Sequence, residues 1–589
     1  MIINKTLWKK TIYTFVFLLL GFLPLKAQTE AIKGTVTDQA GDVLIGVSVA
    51  LKGASLGTTT NLDGEYNFNI PSKDNNILVF TYVGFKTQEV VLVAGQSKCD
   101  IVMESSIEDL DEIVVVGYGV QKKANLTGAV SAMRVSDIKD IPVSNTSSLL
   151  QGRMSGVTVS SFSAQPGKDN DVEIRIRGIG TFGNSSPLIL IDGVEGSLSS
   201  VAPNDIESIS VLKDAASAAI YGVRAANGVI LVTTKRGTGD RRISYSGSFG
   251  IQKATTLPKY VDSWQWATLF NEQNNALGGT AANQNYSESM IESLKNGTDR
   301  QHFANTNWMK ELFRTASVQN HHLSIASGSE TSSQVVSVGY MKQEGIMRGT
   351  DTDRLNFRLN TDSKHLNIIQ VGANVAGSYQ KTLEPTSGVW GIFDKVVGDT
   401  RPTVPVKYDN GHWGQYDGGP EFSTPQSNPV EMTTYQSKEH VYKFDGKAFL
   451  DIEPIKNLHY RTSFAFQYNQ GTSRAFTPTY QHYKSDGSFH TTGITELDES
   501  RIQQRQWINE NLLTYTLNLQ DNHDFNFLLG HSAQYNGNRY SEIKGDGFLS
   551  NNIEEMDAAR TSSAKGRSYI AFFLWANKLC ISKPLFDGS

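Results

Sequence analysis

Four stretches of this chain combine residue types whose spacing could do chemistry. Gly178-Ile179-Gly180-Thr181-Phe182-Gly183 has the G-x-G-x-x-G spacing that brings a backbone close to a pyrophosphate, but that use needs a helix to open directly after the loop. Asn184–Pro187 and another strand pattern follow instead. Gly53-Ala54-Ser55-Leu56-Gly57 has the spacing of a nucleophile elbow, which requires a strand–turn–helix setting. Thr58–Asn61 and a turn come next, so this is read as a Gly-rich loop. His321-His322 would project to opposite faces of a strand and are poorly placed to share a metal ion. The fourth stretch is Asp111–Gly119, Asp-Glu-Ile-Val-Val-Val-Gly-Tyr-Gly. It offers backbone chemistry. An acidic pair, Asp111 and Glu112, leads into Ile113, Val114, Val115 and Val116, and Gly117 and Gly119 break the run around Tyr118. It is too short to span a bilayer and reads as a strand suited to pairing with another protein's open sheet edge. An ordinary strand between two domains fits the same residues. No catalytic constellation emerges, so the chain is not read as an enzyme, and no cofactor or metal is expected.

The elements around these stretches bound the answer. The chain has 589 residues, enough for several domains, with a net charge of −5 and no basic block of the kind that binds nucleic acid. Two cysteines, Cys99 and Cys580, are too few for a disulfide framework. Lys5, Lys9 and Lys10, the apolar run Ile12–Leu23 and Leu25-Lys26-Ala27 before Gln28 give a secretory signal over residues 1–27. Residues 28–104 alternate in short runs, Ile32–Thr37, Val47–Lys52, Tyr66–Ile70 and Leu78–Tyr82, separated by Gly- and Asn-rich turns. This predicts a compact β-sandwich. An acidic linker with Asp111–Gly119 occupies 105–120.

Residues 121–238 mix strand and helix signals and predict a compact α+β domain. Asn145 or Thr146 caps a helix start. Asp171–Arg177 alternates, with Arg175 and Arg177 on the polar face and Gly178 after them. Pro187–Asp192 is an apolar strand ending in the Asp192-Gly193 turn. Asn204-Asp205 caps a short element, Leu212–Tyr221 is Ala-rich and helical with Gly222 as its stop, and Gly228–Thr234 is a last strand. From 239 to 589 the period-2 signal dominates. Tyr460–Tyr468, Leu513–Leu519, Phe525–Leu529 and Leu355–Leu359 each place apolar and aromatic residues on one face and uncharged polar residues on the other. Runs of about 8–11 residues suit tilted transmembrane strands. Long polar connections, 255–315 and 381–438, lie between them.

The order of these parts resembles the SusC/RagA-type TonB-dependent transporters of Bacteroidota outer membranes. Ile32-Lys33-Gly34-Thr35-Val36 with Thr60–Tyr66 is similar to that family's carboxypeptidase-regulatory-like extension. Asp111–Gly119 is similar to its TonB box. Leu150–Arg153, Ile174–Gly178, Leu190–Gly193, Ile206–Asp214, Ala218–Gly222 and Asn227–Lys235 resemble its plug motifs. The implied fold is mainly β: a sandwich, an α+β plug and a partial antiparallel transmembrane β-barrel. A plugged barrel of this kind uses about 22 strands. Residues 239–589 supply about ten by run spacing, and Asn577–Pro584 reads as a place where strand alternation fades, so the chain is expected to be C-terminally truncated.

The resemblance implies import of a large nutrient, an oligosaccharide or a peptide, across the outer membrane after signal cleavage. It also implies energising by TonB with its ExbB/ExbD complex, and a SusD-like surface lipoprotein as partner. Arg175, Arg177, Gly178, Asp192, Gly193 and Gly222 are then structural in the plug. Trp390, Trp413 and Tyr416, in the 381–438 connection, are the candidates for stacking on a ligand. The alternatives are a secreted or surface-attached β-rich glycan-binding protein without transport activity, and a periplasmic hydrolase.

Overall fold

The computed structural model describes residues 29–582 apart from short internal stretches, the longest being 105–112, 123–129, 135–144, 278–285 and 415–427. The signal segment therefore lies outside the described residues. The chain divides into two compact units, one reaching to Ile113 and one holding nearly everything after it.

The first unit is a sandwich of two small sheets. Thr29–Asp38 lies between Glu65–Pro71 and Ile101–Met103, and Ser48–Leu51 and Ile77–Thr81 centre a four-stranded partner sheet. Alternation sets the core: Ile32, Val36, Val49, Tyr66, Leu78 and Phe80 point inward and are nearly fully buried. Tyr66 meets Phe80 edge-on at 5.5 Å, and its hydroxyl donates to the Cys99 carbonyl at 2.7 Å. Burial is the main cause that pushes the Tyr66 phenol far above its usual range.

The second unit is dominated by a ten-stranded sheet in strictly sequential order. Its strands are β1 (Arg242–Gln252), β2 (Ala316–Gly328), β3 (Ser332–Glu344), β4 (Asp351–His365), β5 (Ile369–Pro385), β6 (Gln436–Ile455), β7 (Leu458–Thr477), β8 (Glu496–Leu519), β9 (His523–Asp546) and β10 (Thr561–Ser582). All nine pairings are antiparallel. At one end the strands are joined by two or three residues, as at 366–368 and 456–457. At the other end the connections include 253–315, 386–435 and 478–495. The long connections carry α1 (Ser263–Ala276), α2 (Glu288–Asn296), α3 (Trp308–Leu312), α4 (Gly388–Asp394) and α5 (Pro429–Met432). Trp308, Leu312, Ile392, Val396 and Met432 close a core among α3, α4 and α5.

The strands are longer than the alternating runs that announced them, 11 to 24 residues against about 8–11. Apolar alternation is demanded only where one face meets an apolar surround. The backbone ladder needs no such pattern and continues beyond it. β10 also corrects the sequence expectation, since it runs in register with β9 to Ser582. The apolar series Ile570, Phe572, Leu574 is even-numbered, whereas Leu579 and Ile581 are odd-numbered. The ladder absorbs the slip in one bulge, passing from Gly530↔Lys578 to Ser532↔Trp575. An alternation that changes phase looks like one that fades.

Residues 130–236 lie against one face of this sheet, and the other face is exposed and apolar, with Tyr245, Val338, Phe357, Phe444, Phe464 and Leu513. Their centre is a five-stranded mixed sheet: Val130–Arg134, Ile206–Leu212, Val229–Thr234, Leu188–Ile191 and Val194–Glu195. A separate hairpin pairs Val157–Ser161 with Val172–Ile176. The described helical segments here include short 3-10 turns such as Thr146–Leu150, whose Asn145 side chain accepts from the Ser147 amide. The helix expected over Leu212–Tyr221 begins later than read: Ala218 is helical and its amide donates to the Asp214 carbonyl at 3.1 Å, while 215–217 lie outside the described residues. Leu212 ends a strand paired on both sides, and a 3-10 segment Ala219–Ala225 follows, kinked at Gly222 (φ 67°). Ile206, Ile209 and Val211 bury completely, and this core packing outweighs the Ala-rich propensity that follows.

Candidate functional site

The site is built where the 130–236 domain meets the sheet. Leu188–Ile191 and Val194–Glu195 form a hairpin whose two turn residues, Asp192 (φ 49°) and Gly193 (φ 81°), both adopt left-handed backbone. That is the geometry of a type I′ turn, which Asp-Gly tolerates. The turn aims Asp192 at the sheet. Its carboxylate accepts from the Thr234 amide at 3.0 Å and the Thr234 hydroxyl at 2.6 Å, and it lies 3.6 Å from the Arg358 guanidinium of β4. The Lys447 ammonium of β6 donates to the Asp192 carbonyl at 3.2 Å. Beside it, the Asp205 carboxylate pairs with His322 Nε2 of β2 at 2.8 Å and lies 4.0 Å from Arg358 Nε. Arg354 Nη1 donates to the Ser199 carbonyl at 3.0 Å. Asn360 donates to Thr234 Oγ1 and to the Lys235 carbonyl. Arg236 reaches Asp362 and Asn374. These groups are largely desolvated, so each charge needs its partner. A small cleft runs alongside, lined by Asp192, Glu195, Arg358, Asp445, Lys447 and Gln467 among others.

A second contact lies nearer the long connections. The segment between the strands of the separate hairpin carries Gln165, Gly167 and Lys168. Lys168 Nζ donates to Glu384 at 2.8 Å and lies 3.5 Å from Glu439, Gln165 also donates to Glu384, and Gln380 donates to the Gly167 carbonyl. Burial alone would lower the Lys168 ammonium, but the Glu384 hydrogen bond and the two carboxylates raise it overall. Phe162, on the same segment, meets Trp390 of α4 with ring centres 5.2 Å apart.

The residues singled out from sequence divide between these places. Asp192 and Gly193 form the central contact. Arg175 stays within its own domain, with Glu173 and Ser185 as partners. Arg177 (φ 56°) is exposed and, among the described residues, makes no ion pair; its backbone amide donates to the Gly156 carbonyl. Gly178 follows at φ 92°. Trp390 is half exposed, whereas one face of Trp413 is covered by Lys407, whose ammonium sits 4.0 Å from the ring centre. Tyr416 lies outside the described residues. Of Asp111–Gly119, Ile113–Val116 is a strand. It pairs with Gly119–Lys122 in a sheet of two strands, and two intervening residues force that pair to be antiparallel. Asp111, Glu112, Gly117 and Tyr118 lie outside the described residues.

Sequence reasoning missed Asp205, His322, Arg354, Arg358, Lys168 and Glu384. A signal was present for two of them. Arg354 and Arg358 alternate with Leu355, Phe357 and Leu359, so the face expected to be uncharged carries two guanidiniums. The His pair does split across the strand: His322 is buried on Asp205 and His321 is exposed beside Tyr245. Asp205 belongs to a 3-10 turn, Pro203–Asp205, rather than capping an element from outside.

Comparison with known proteins follows the same division. Residues 32–115 match the CarboxypepD_reg-like domain family and residues 122–229 the TonB-dependent Receptor Plug Domain family. TonB-dependent receptor P26 of Formosa agariphila is 31% identical over 92% of this chain and 54% of its own length. TonB-dependent receptor SusC of Bacteroides thetaiotaomicron is 30% identical over 96% of this chain and 57% of its own. The chain therefore spans about half the length of the curated relatives it matches. Among solved structures, the RagAB peptide importer in its open-open state superposes with a TM-score of 0.62 at 23% identity, covering 80% of this chain and 55% of that one.

Proposed function

Because the chain belongs to the SusC/RagA-type TonB-dependent receptors, we propose that it is the plug-bearing part of an importer of a large nutrient across the outer membrane. The nutrient class is an oligosaccharide or a peptide. The apolar face of the ten-stranded sheet meets lipid, the 130–236 domain is the plug, the short turns face the periplasm and the long connections face outside. The observation that carries this reading is the desolvated Asp192–Thr234–Arg358 contact, which ties the plug to the sheet by polar groups alone. Polar contacts of this kind can be broken and remade without exposing a hydrophobic core, which suits a plug that must shift to let cargo pass.

In this proposal cargo binds at the outer side, where Trp390 offers a half-exposed ring beside Phe162 and a SusD-like surface lipoprotein closes over the long connections. No covalent step is required. Ile113–Val116 then passes from its weak two-stranded ribbon to the sheet edge of TonB, driven by the ExbB/ExbD complex. A two-stranded ribbon is marginally stable, so the exchange costs little. Uptake assays in cells carrying the complete gene test this. Import should vanish without TonB and in Val115→Pro, and import that persists in both would overturn it.

A further inference from the structure

Strands β7, β8 and β9 carry a patch of uncharged carboxamides on the face turned to the plug, and we infer that this patch is a contact site for a neutral oligosaccharide. The inference rests on the proposal that the chain is part of an importer, and adds to it a site and a choice of cargo. Register sets the patch in two rows. Asn469, Gln504 and Asn538 lie opposite one another in the first, and Gln467, Gln506 and Asn536 in the second. Gln467 fixes which face this is, because its amide donates to the Glu195 carbonyl of the plug at 2.8 Å. Gln467 also lines the cleft beside Asp192, so the rows lead from the long-connection end of the sheet towards that cleft.

Six carboxamides in neighbouring positions need a cause. Asparagine is depleted in strands, yet Asn469, Asn536 and Asn538 sit in strand interiors. Solvation of a wall is met equally by Lys, Glu, Ser or Thr. The charged neighbours, Lys443 and Asp445 on β6 and Arg567 on β10, stand at the margin of the patch, and Asp445 is already bonded by Gln467 at 2.7 Å. Nor do the carboxamides satisfy one another. Asn469 donates to Gln504 at 2.8 Å, but its own Oδ1 is buried and has no hydrogen-bond partner. Gln506 and Asn538 make no side-chain hydrogen bond among the described residues. Neighbouring strands stand about 4.8 Å apart, and every second residue lies about 6.8 Å further along. The patch is thus a grid of groups that donate and accept at once.

The chemistry of the grid selects its occupant. A hydroxyl donates and accepts as a carboxamide does. A carboxylate or ammonium on the cargo would find no counter-charge there, and recognition of such groups calls for charged partners. A peptide matches carboxamides with its backbone but brings charged termini. Directly above the rows, on the same face, Ile502 pairs with Tyr540, and Tyr569 lies across from Asn538. Ile502 and Tyr569 are exposed although large and apolar. Apolar surface beside polar groups marks a binding surface. A sugar ring has apolar C–H faces and hydroxyl edges, so it uses both parts of this one.

The test probes the purified full chain on an array of neutral glycans, uronic-acid glycans and peptides. Neutral glycans should be retained over the other two. Gln504→Glu with Asn538→Asp keeps the size of two exposed side chains and leaves the strand ladder intact. It should weaken neutral-glycan binding about tenfold, the loss of one or two hydrogen bonds between neutral groups. Tyr569→Ala should weaken it as well, and Gln503→Glu, on the opposite face of β8, should leave it unchanged. Retention of peptides or acidic glycans in place of neutral ones would overturn the inference and leave the importer reading standing. So would neutral-glycan binding that the paired change at 504 and 538 does not alter. A chain that retains none of the three classes would overturn the importer reading as well.

Discussion

Asp192 and Arg358 approach to 3.6 Å with both side chains almost shut off from solvent, and they join the tip of a plug hairpin to strand β4. The carboxylate is held from the other side by Thr234, so neither partner has water to fall back on. Removing Asp192 leaves the buried guanidinium with Asp205, 4.0 Å from its Nε, as its remaining ion-pair partner among the described residues. Asp192→Ala should therefore cost about 3 kcal/mol, the low end for breaking a buried pair. Urea unfolding of the plug, read by protease resistance, checks this. Asp192→Ala with Arg358→Met should cost less than the two single changes added together, since they share one interaction.

Gly167 has left-handed backbone (φ 74°), and a Cβ built there would stand 2.5 Å from Thr382 Oγ1 and 2.7 Å from Thr352 Oγ1. Gly167→Val is expected to lift this segment off β5 and separate Lys168 from Glu384. Phe162 would lose its place beside Trp390, so tryptophan fluorescence should shift, whereas Gly183→Val, in an open loop, should leave it unchanged.

Burial pushes the Glu431 carboxyl of α5 up to about 7, the Tyr435 hydroxyl and the Lys407 charge offsetting part of the shift. The unfolded chain releases that proton near pH 4.3–4.5, roughly the free glutamate value. Between those values the folded form holds a proton that the unfolded form lacks, so stability falls as pH rises through the window. Thermal melts from pH 4.5 to 8 should show the long-connection core weakening towards the alkaline end. Glu431→Gln should flatten that dependence.

For cargo, Trp390→Ala should weaken binding more than Trp413→Ala, because Lys407 already occupies one face of Trp413. Titration of extracted cargo against the two variants separates them.

Much of this architecture was legible because period-2 alternation reports a face. Ile32 and Val36, or Tyr460 and Phe464, reveal strands without reference to any neighbour. Only an estimate of about ten strands came from the spacing of those runs and the lengths of the long connections. What stayed hidden was which polar residues meet across the fold. Asp205 and His322 are 117 positions apart, and nothing local marks either as a partner of the other. Leu212 misled because its strand is held by neighbours on both sides, a tertiary cause invisible beside an Ala-rich run. The phase slip at Gly530–Ser532 hid β10 in the same way, since a bulge belongs to a pair of strands and not to one.

The central claim is that Ile113–Val116 is a detachable strand that TonB grips by backbone pairing. The most direct measurement is binding of the purified TonB C-terminal domain to the full chain, wild type against Val115→Pro and Val115→Thr. Proline removes an amide donor and blocks the ladder, whereas threonine keeps both the donor and the β-branched shape. The account predicts that Val115→Pro abolishes binding and Val115→Thr retains it. Equal binding by the wild type and Val115→Pro would contradict it.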